Sequence, residues 1–219
     1  MKNAMTVFNR SLYDSYQMLG TMIWATFFWW LCVLPIFTIG PATLALVSII
    51  QQSSRGAAVS PRDFWASLRS HFTFGTKLLV LHVLIIFPGV VYFLTLISMG
   101  HFLSYVIAIL LLFGIVMWHC LMMYIIPLSL EQDEKRFTIL FKRAFKLFVE
   151  HFLFTMNIVL YMVFISIICS IITIALIIWA GIIAFLAYNA LRYLLNQYEP
   201  EHYSFELETN WRGIWRPWK

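Results

Sequence analysis

Three stretches of this chain contain no Asp, Glu, Lys or Arg. They run for about 40 residues between Asp14 and Arg55, about 53 between Lys77 and Glu131, and about 41 between Glu150 and Arg192. A hydrocarbon core about 30 Å thick is crossed by roughly 20 helical residues, whereas one helix of 40 residues would be about 60 Å long. Each stretch must fold back on itself, so each predicts two crossings. With 62% apolar and only 11% charged residues, the chain cannot clothe a water-soluble domain of this size. The fold expected is all-α: a polytopic membrane bundle of six crossings in three hairpins, with amphipathic helices on the cytoplasmic side.

The first reversal is expected at Pro35-Ile36-Phe37-Thr38-Ile39-Gly40-Pro41, where prolines remove donors and Gly40 tolerates unusual backbone angles. Helix one then covers about 13–34, and Pro41 opens a shorter second helix over 41–52. If that segment only dipped into the membrane, five crossings would remain. The second stretch reads as helices over 78–97 and 102–128 around Ser98–His101, with Gly100 in the turn. The third carries no Pro or Gly to mark its reversal, which length alone places near 169–173. The first apolar run exceeds the roughly 7–15 residues of an export-signal core and reads as retained. Cys32, Cys120 and Cys169 are dispersed among apolar residues, as small hydrophobes rather than a redox pair or zinc site.

Placing all three reversals on one side leaves the 15 Lys and Arg residues on the other. The preference of basic residues for the cytoplasmic face then predicts cytoplasmic N and C termini. Two loops on that side share a design. Ser60-Pro61-Arg62-Asp63 has the form of a capped helix start, followed by Phe64, Trp65, Leu68 and Phe72, with Arg62 and Arg69 free to reach water or lipid phosphates. In the second, Phe137, Phe141, Phe145, Phe148 and Phe152 form a helical stripe beside Lys135, Arg136, Lys142, Arg143 and Lys146. Trp65, Leu68, His71, Phe72 and Phe74 stand opposite Phe145, Phe148, His151, Phe152 and Phe154, each pair 80 residues apart, a weak internal repeat. Both stripes suit anchoring in the lipid interface. Phe64, Trp65, Arg69, Phe141, Lys142, Phe145, Lys146 and Phe148 also form a candidate partner surface.

The chemistry on offer is sparse. No carboxylate lies inside the apolar runs, which disfavours a proton-coupled carrier. His82 and His119 are isolated in sequence and read as hydrogen-bonded structural groups. Asn157, Asn189, Ser166, Ser170 and Thr173 suit contacts between helices, or the lining of a path for a neutral solute. Trp29, Trp30, Trp118 and Trp179 could stack on a carbohydrate. There is no Gly-rich phosphate loop, no His–carboxylate metal cluster and no Gly-x-Ser-x-Gly motif, so no catalytic, cofactor-binding or metal residue is assigned and the chain reads as a non-enzyme. Nucleic acid is not an expected partner, because the aromatics needed for stacking are engaged by lipid or protein. Residues 196–219 form a separate aromatic and charged tail, with Trp211, Trp215 and Trp218 among Arg212, Arg216 and Lys219, expected to fold back to the membrane surface.

The segment Leu31-Cys32-Val33-Leu34-Pro35-Ile36-Phe37-Thr38-Ile39-Gly40-Pro41-Ala42-Thr43-Leu44-Ala45-Leu46 resembles the signature of the YesL-like bacterial integral membrane family. The likeness extends over roughly residues 10–195, so that 1–195 reads as one YesL-like transmembrane domain. It singles out Pro35, Thr38, Gly40, Pro41 and Thr43 as a functional or structural signature. The resemblance implies a bacterial cell membrane protein associated with carbohydrate uptake, with membrane lipids and carbohydrate transporter components as partners. The leading expectation is an accessory or scaffold; the alternative is a transporter or channel for a saccharide or other small neutral solute.

Overall fold

The computed structural model describes residues 2–132 and 136–201. Lys135 and the tail from His202 to Lys219, including its expected surface anchor, lie outside the described residues. Among those described there are nine α-helices and no strand: α1 Lys2–Gln17, α2 Leu19–Val33, α3 Ile39–Ser54, α4 Pro61–Ser70, α5 Phe72–Ser98, α6 Phe102–Glu131, α7 Phe137–Glu150, α8 Phe152–Ile171 and α9 Leu176–Tyr198. Short 3₁₀ turns at Ile36–Thr38 and Thr173–Ala175 precede α3 and α9. Among the described residues, five segments are long and apolar enough to cross a membrane: Ile36–Ser54, Phe72–Ser98, Phe102–Glu131, Phe152–Ile171 and Thr173–Tyr198.

The first expected crossing is not one straight helix. It divides at Met18, although Met18 N–H still donates to Asp14 O at 3.0 Å and Met22 N–H to Met18 O at 2.9 Å. The result is a bent rod with Gly20 in the turn after the kink. Its apolar part, α2, has 15 residues, about 22 Å, less than the hydrocarbon thickness. The bend keeps both parts against α9, antiparallel to it: Ser11 and Asp14 meet Asn189, Met22 and Thr26 pack on Gly181, and Trp30 Nε1 donates to Leu176 O at 3.1 Å.

The other reversals follow the sequence closely. Gly100 adopts φ +68°, a left-handed angle that costs a residue with a Cβ about 1–2 kcal/mol, and turns α5 into α6. The Ile172 region turns α8 into α9. Ser60 and Asp63 form the expected capping box at α4; Ser60 N–H and Oγ donate to Asp63 Oδ2 at 2.7 and 2.9 Å, and these bonds hold the Asp63 carboxyl below the usual carboxylate range.

Helix α3 is the buried centre, with Ala42, Leu44, Ala45 and Ile49 fully enclosed. Its start is fixed by a backbone-to-backbone crossing: a Cβ on Gly40 would stand 2.1 Å from Gly75 O, and one on Gly75 would stand 2.5 Å from Pro41 N. This corrects the expected use of Gly40. Its missing side chain serves a helix crossing rather than the turn itself. Pro41 lies in the first turn of α3, as expected, two residues after the helix begins at Ile39.

The crossing also sets the three reversals at different depths along the bundle. Gly75 is in the first turn of α5, whereas Gly100 lies past its far end, about 35 Å away at 1.5 Å per residue. The α2–α3 reversal therefore sits near the start of α5. The α8–α9 reversal is held near that level, since Trp29 and Trp30 pack on Trp179 with ring centroids 6.1 and 6.3 Å apart. Beyond His82 and Trp118, α5 and α6 pack on each other through Gly89, Ser104 and Ala108, while Phe87, Leu94, Phe102, Leu110 and Phe113 are exposed. They form an apolar arm that outreaches the other two hairpins.

Candidate functional site

The interval of 80 residues seen in the sequence organises the structure as well. His71 is the one residue between α4 and α5, and His151 the one residue between α7 and α8. Buried Phe64, Ser67, Leu68 and Leu78 correspond to buried Ala144, Leu147, Phe148 and Ile158; exposed Trp65 and Val80 correspond to exposed Phe145 and Leu160. The correspondence continues backwards into the preceding helices, where Ala42, Leu44 and Ala45 of α3 match Met122, Tyr124 and Ile125 of α6, all buried. The unit repeated is thus apolar helix, amphipathic helix, apolar helix: α3–α4–α5 and α6–α7–α8.

Equivalent positions of the two units face each other. Gln51 Nε2 donates to Glu131 Oε2 at 2.6 Å. Higher up, Thr43, Leu46 and Val47 share a cavity of about 210 Å³ with their counterparts Met123, Ile126 and Pro127. Met122, Met162, Trp29 and Trp179 complete much of its wall, and His119 reaches it from α6. Cavities between repeated units of a membrane bundle are where solutes and ions bind in many transporters.

The sequence signature reaches this cavity through Thr43, whose hydroxyl donates to Ile39 O at 2.8 Å and accepts from Trp29 Nε1 at 3.2 Å. The threonine hydroxyl therefore shares the Ile39 carbonyl one turn back on α3 and orients an indole of the cavity wall. Thr38 Oγ1 donates to Cys32 O, tying the 3₁₀ turn to the end of α2. Gly40 and Pro41 form the crossing on Gly75, and Pro35 is exposed at the reversal. The signature is thus split between a helix crossing, a turn and one cavity group.

His82 and His119, apart in sequence, come together. Their rings meet edge to face with centroids 5.2 Å apart. Trp118 Nε1 donates to His82 Nδ1 at 3.1 Å, and His119 Nδ1 lies 2.9 Å from Ile115 O. A carbonyl only accepts, so His119 Nδ1 is the donor, and in the neutral ring Nε2 is the acceptor.

At the basic end of the bundle, Glu131 is drawn inside, its side chain 3% exposed, and Arg55 Nη2 binds Oε1 at 2.8 Å. With Gln51 and the Tyr188 hydroxyl, 3.3 Å from Oε2, it joins α3, α6 and α9. Partial burial disfavours the Arg55 cation, but the neighbouring Glu131 outweighs it and raises the guanidinium above its ordinary value. A second polar knot fixes α1: Asn189 Nδ2 donates to Asp14 Oδ2 at 2.9 Å, and Arg10 Nε pairs with Oδ1 at 2.9 Å. Burial raises the Asp14 carboxyl above its ordinary value, against the opposing pull of Arg10 and Asn189.

The other polar groups mostly close local bonds. Asn157 Nδ2 donates to Leu153 O of its own helix, and Ser170 to Ser166 O. Ser166 does join helices, taking Trp179 Nε1 at 3.0 Å. The three cysteines are free and buried, and no cluster of three His, Cys, Asp or Glu occurs among the described residues.

The candidate partner surface is smaller than the sequence suggested. Phe64 and Phe148 are 0% and 4% exposed because their stripes are the faces by which α4 and α7 dock on the bundle. Phe141 is half-buried, in contact with Phe137 and Phe145. Trp65, Arg69, Phe145, Lys142 and Lys146 remain exposed.

No curated protein and no solved structure matches the chain. Residues 22–95, which hold the Pro35–Thr43 signature, the capped α4 and most of α5, match the family described as Protein of unknown function, DUF624, in keeping with the YesL-like resemblance.

Proposed function

We propose that the protein is a non-catalytic accessory or scaffold of the bacterial cell membrane, with both termini in the cytoplasm, that holds components of a carbohydrate uptake system. The observation that carries this reading is the α5–α6 arm: two long apolar helices, exposed at Phe87, Leu94, Leu110 and Phe113, beyond the level reached by the other hairpins. A helix pair of this kind offers a second membrane protein van der Waals packing without displacing contacts of its own chain. Exposed Arg69, Lys142 and Lys146 supply cationic groups for lipid phosphates. The link to carbohydrate rests on the family resemblance.

A photoreactive amino acid placed at Phe87 or Phe113 in native membranes tests it. The reading expects specific cross-links to a transporter component, with none from a control probe at buried Leu44. Cross-links to lipid alone would refute the scaffold.

The repeat-interface cavity favours a second reading, a carrier of a small neutral solute. Its wall is nearly all carbon and sulfur, which gives a saccharide too few hydrogen-bond partners. Flux in sealed vesicles containing the purified chain separates the two readings.

A further inference from the structure

The repeat-interface cavity has a polar atom at its mouth that the fold itself leaves unused. His119 is exposed on α6 beside exposed Leu112, Phe113 and Val116, so its ring opens onto the apolar outer face of the bundle while also lining the cavity. Its Nδ1 proton goes to Ile115 O, and His82, the neighbouring ring, already takes the Trp118 proton at Nδ1. No hydrogen bond among the described residues reaches His119 Nε2. A bare acceptor facing hydrocarbon is costly, and a donor from a bound molecule would remove that cost.

The cavity behind it sets the rest of the ligand. At about 210 Å³ it exceeds an engineered apolar cavity of about 150 Å³ that accepts benzene. Met122, Met123 and Met162 line it with flexible thioethers that adapt to an irregular chain. No charged side chain lines it, so an ionic group would enter without a partner. We infer that the cavity holds the hydrocarbon chain of a neutral, hydroxyl-bearing membrane amphiphile, whose O–H donates to His119 Nε2 at the mouth. The position between equivalent residues of the two repeated units puts this ligand where α3 and α6 could both sense it. The inference stands apart from the scaffold reading, since it concerns the cavity between the repeated units and needs no second membrane protein.

The test uses the full chain in lipid nanodiscs with two photoactivatable probes, a diazirine-bearing long-chain primary alcohol and its methyl ether, which lacks the donor. The alcohol should label the peptides containing Met122–Met123 or Met162 about fivefold to tenfold more than the ether, the effect of one hydrogen bond. His119→Leu should abolish this preference, so that alcohol and ether label to the same extent. Ala184→Phe, which places a ring in the cavity, should abolish labelling by both. Equal labelling by the two probes in the unmodified protein overturns the inference, as does labelling that survives Ala184→Phe with an unchanged melting curve. Should that variant fail to fold, competition decides: excess unlabelled alcohol must suppress the label in the unmodified protein, and label that persists refutes the site.

Discussion

Gln51 and Glu131 hold equivalent positions in the two repeated units, 80 residues apart, and are hydrogen-bonded to each other at 2.6 Å. The bond lies where the ends of α3 and α6 meet, and Arg55 and Tyr188 converge on the same carboxylate. A single acidic side chain thereby ties both units to α9.

Truncating Glu131 to Ala should destabilise the protein by about 2–4 kcal/mol, because Gln51 and Tyr188 lose their acceptor in a buried setting. Arg55→Ala should also destabilise, by a smaller amount, since that side chain is 54% exposed. Thermal unfolding of the two variants and their double mutant measures the coupling; strictly additive losses would dissolve the network.

Gly40→Ala and Gly75→Ala should each cost about 1–3 kcal/mol, because the new methyl meets backbone rather than a movable side chain. Gly114→Ala, with nothing within 4 Å of the added atom, should be neutral or stabilise by up to about 1 kcal/mol. Melting temperatures of the three variants provide the comparison.

Gly100→Ala should destabilise by about 1–2 kcal/mol for a different reason, the left-handed angle at φ +68°. Gly100→Asn should recover part of the loss, since asparagine tolerates that region better. Equal losses for Ala and Asn would point to a clash instead.

Asp14 gives a pH dependence. Its folded carboxyl is raised above the ordinary value, first by burial, so the folded state holds the proton more tightly than the unfolded one. Its stabilising contribution is therefore full below the unfolded value of 3.8 and is lost as pH rises through the raised folded value. Asp14→Asn should flatten the decline in melting temperature above about pH 4. A variant whose profile parallels that of the unmodified protein would show that Asp14 does not titrate in this way.

Much of the architecture was readable because its signals are local. Ser60 and Asp63 announce a capped helix, Gly100 marks a turn between two apolar runs, and the histidine and aromatic residues repeated at 80-residue spacing reveal the second amphipathic helix. The kink at Met18 was hidden because no proline marks it, and the change there from the mixed α1 to the apolar α2 looks the same in a straight helix that enters the membrane. Gly40 was legible as a special position but its partner Gly75 was not, because a crossing pairs residues from distant segments. The cavity escaped for the same reason: Thr43, His119, Met162 and Trp179 come from four helices, and only the repeat brings their neighbours into register. Phe64 and Phe148 were misread as accessible because an amphipathic stripe looks alike whether lipid, a partner or its own bundle covers it.

The depth of the first reversal relative to the α5–α6 tip is the relationship on which the arm, and with it the scaffold reading, depends. In a background without Cys32, Cys120 and Cys169, single cysteines at Phe37 and Gly100 can be exposed to a membrane-impermeant thiol reagent added from the side opposite the basic loops. Rapid modification is expected at Gly100→Cys and protection at Phe37→Cys; equal modification at both positions would put the two reversals at one depth and remove the arm.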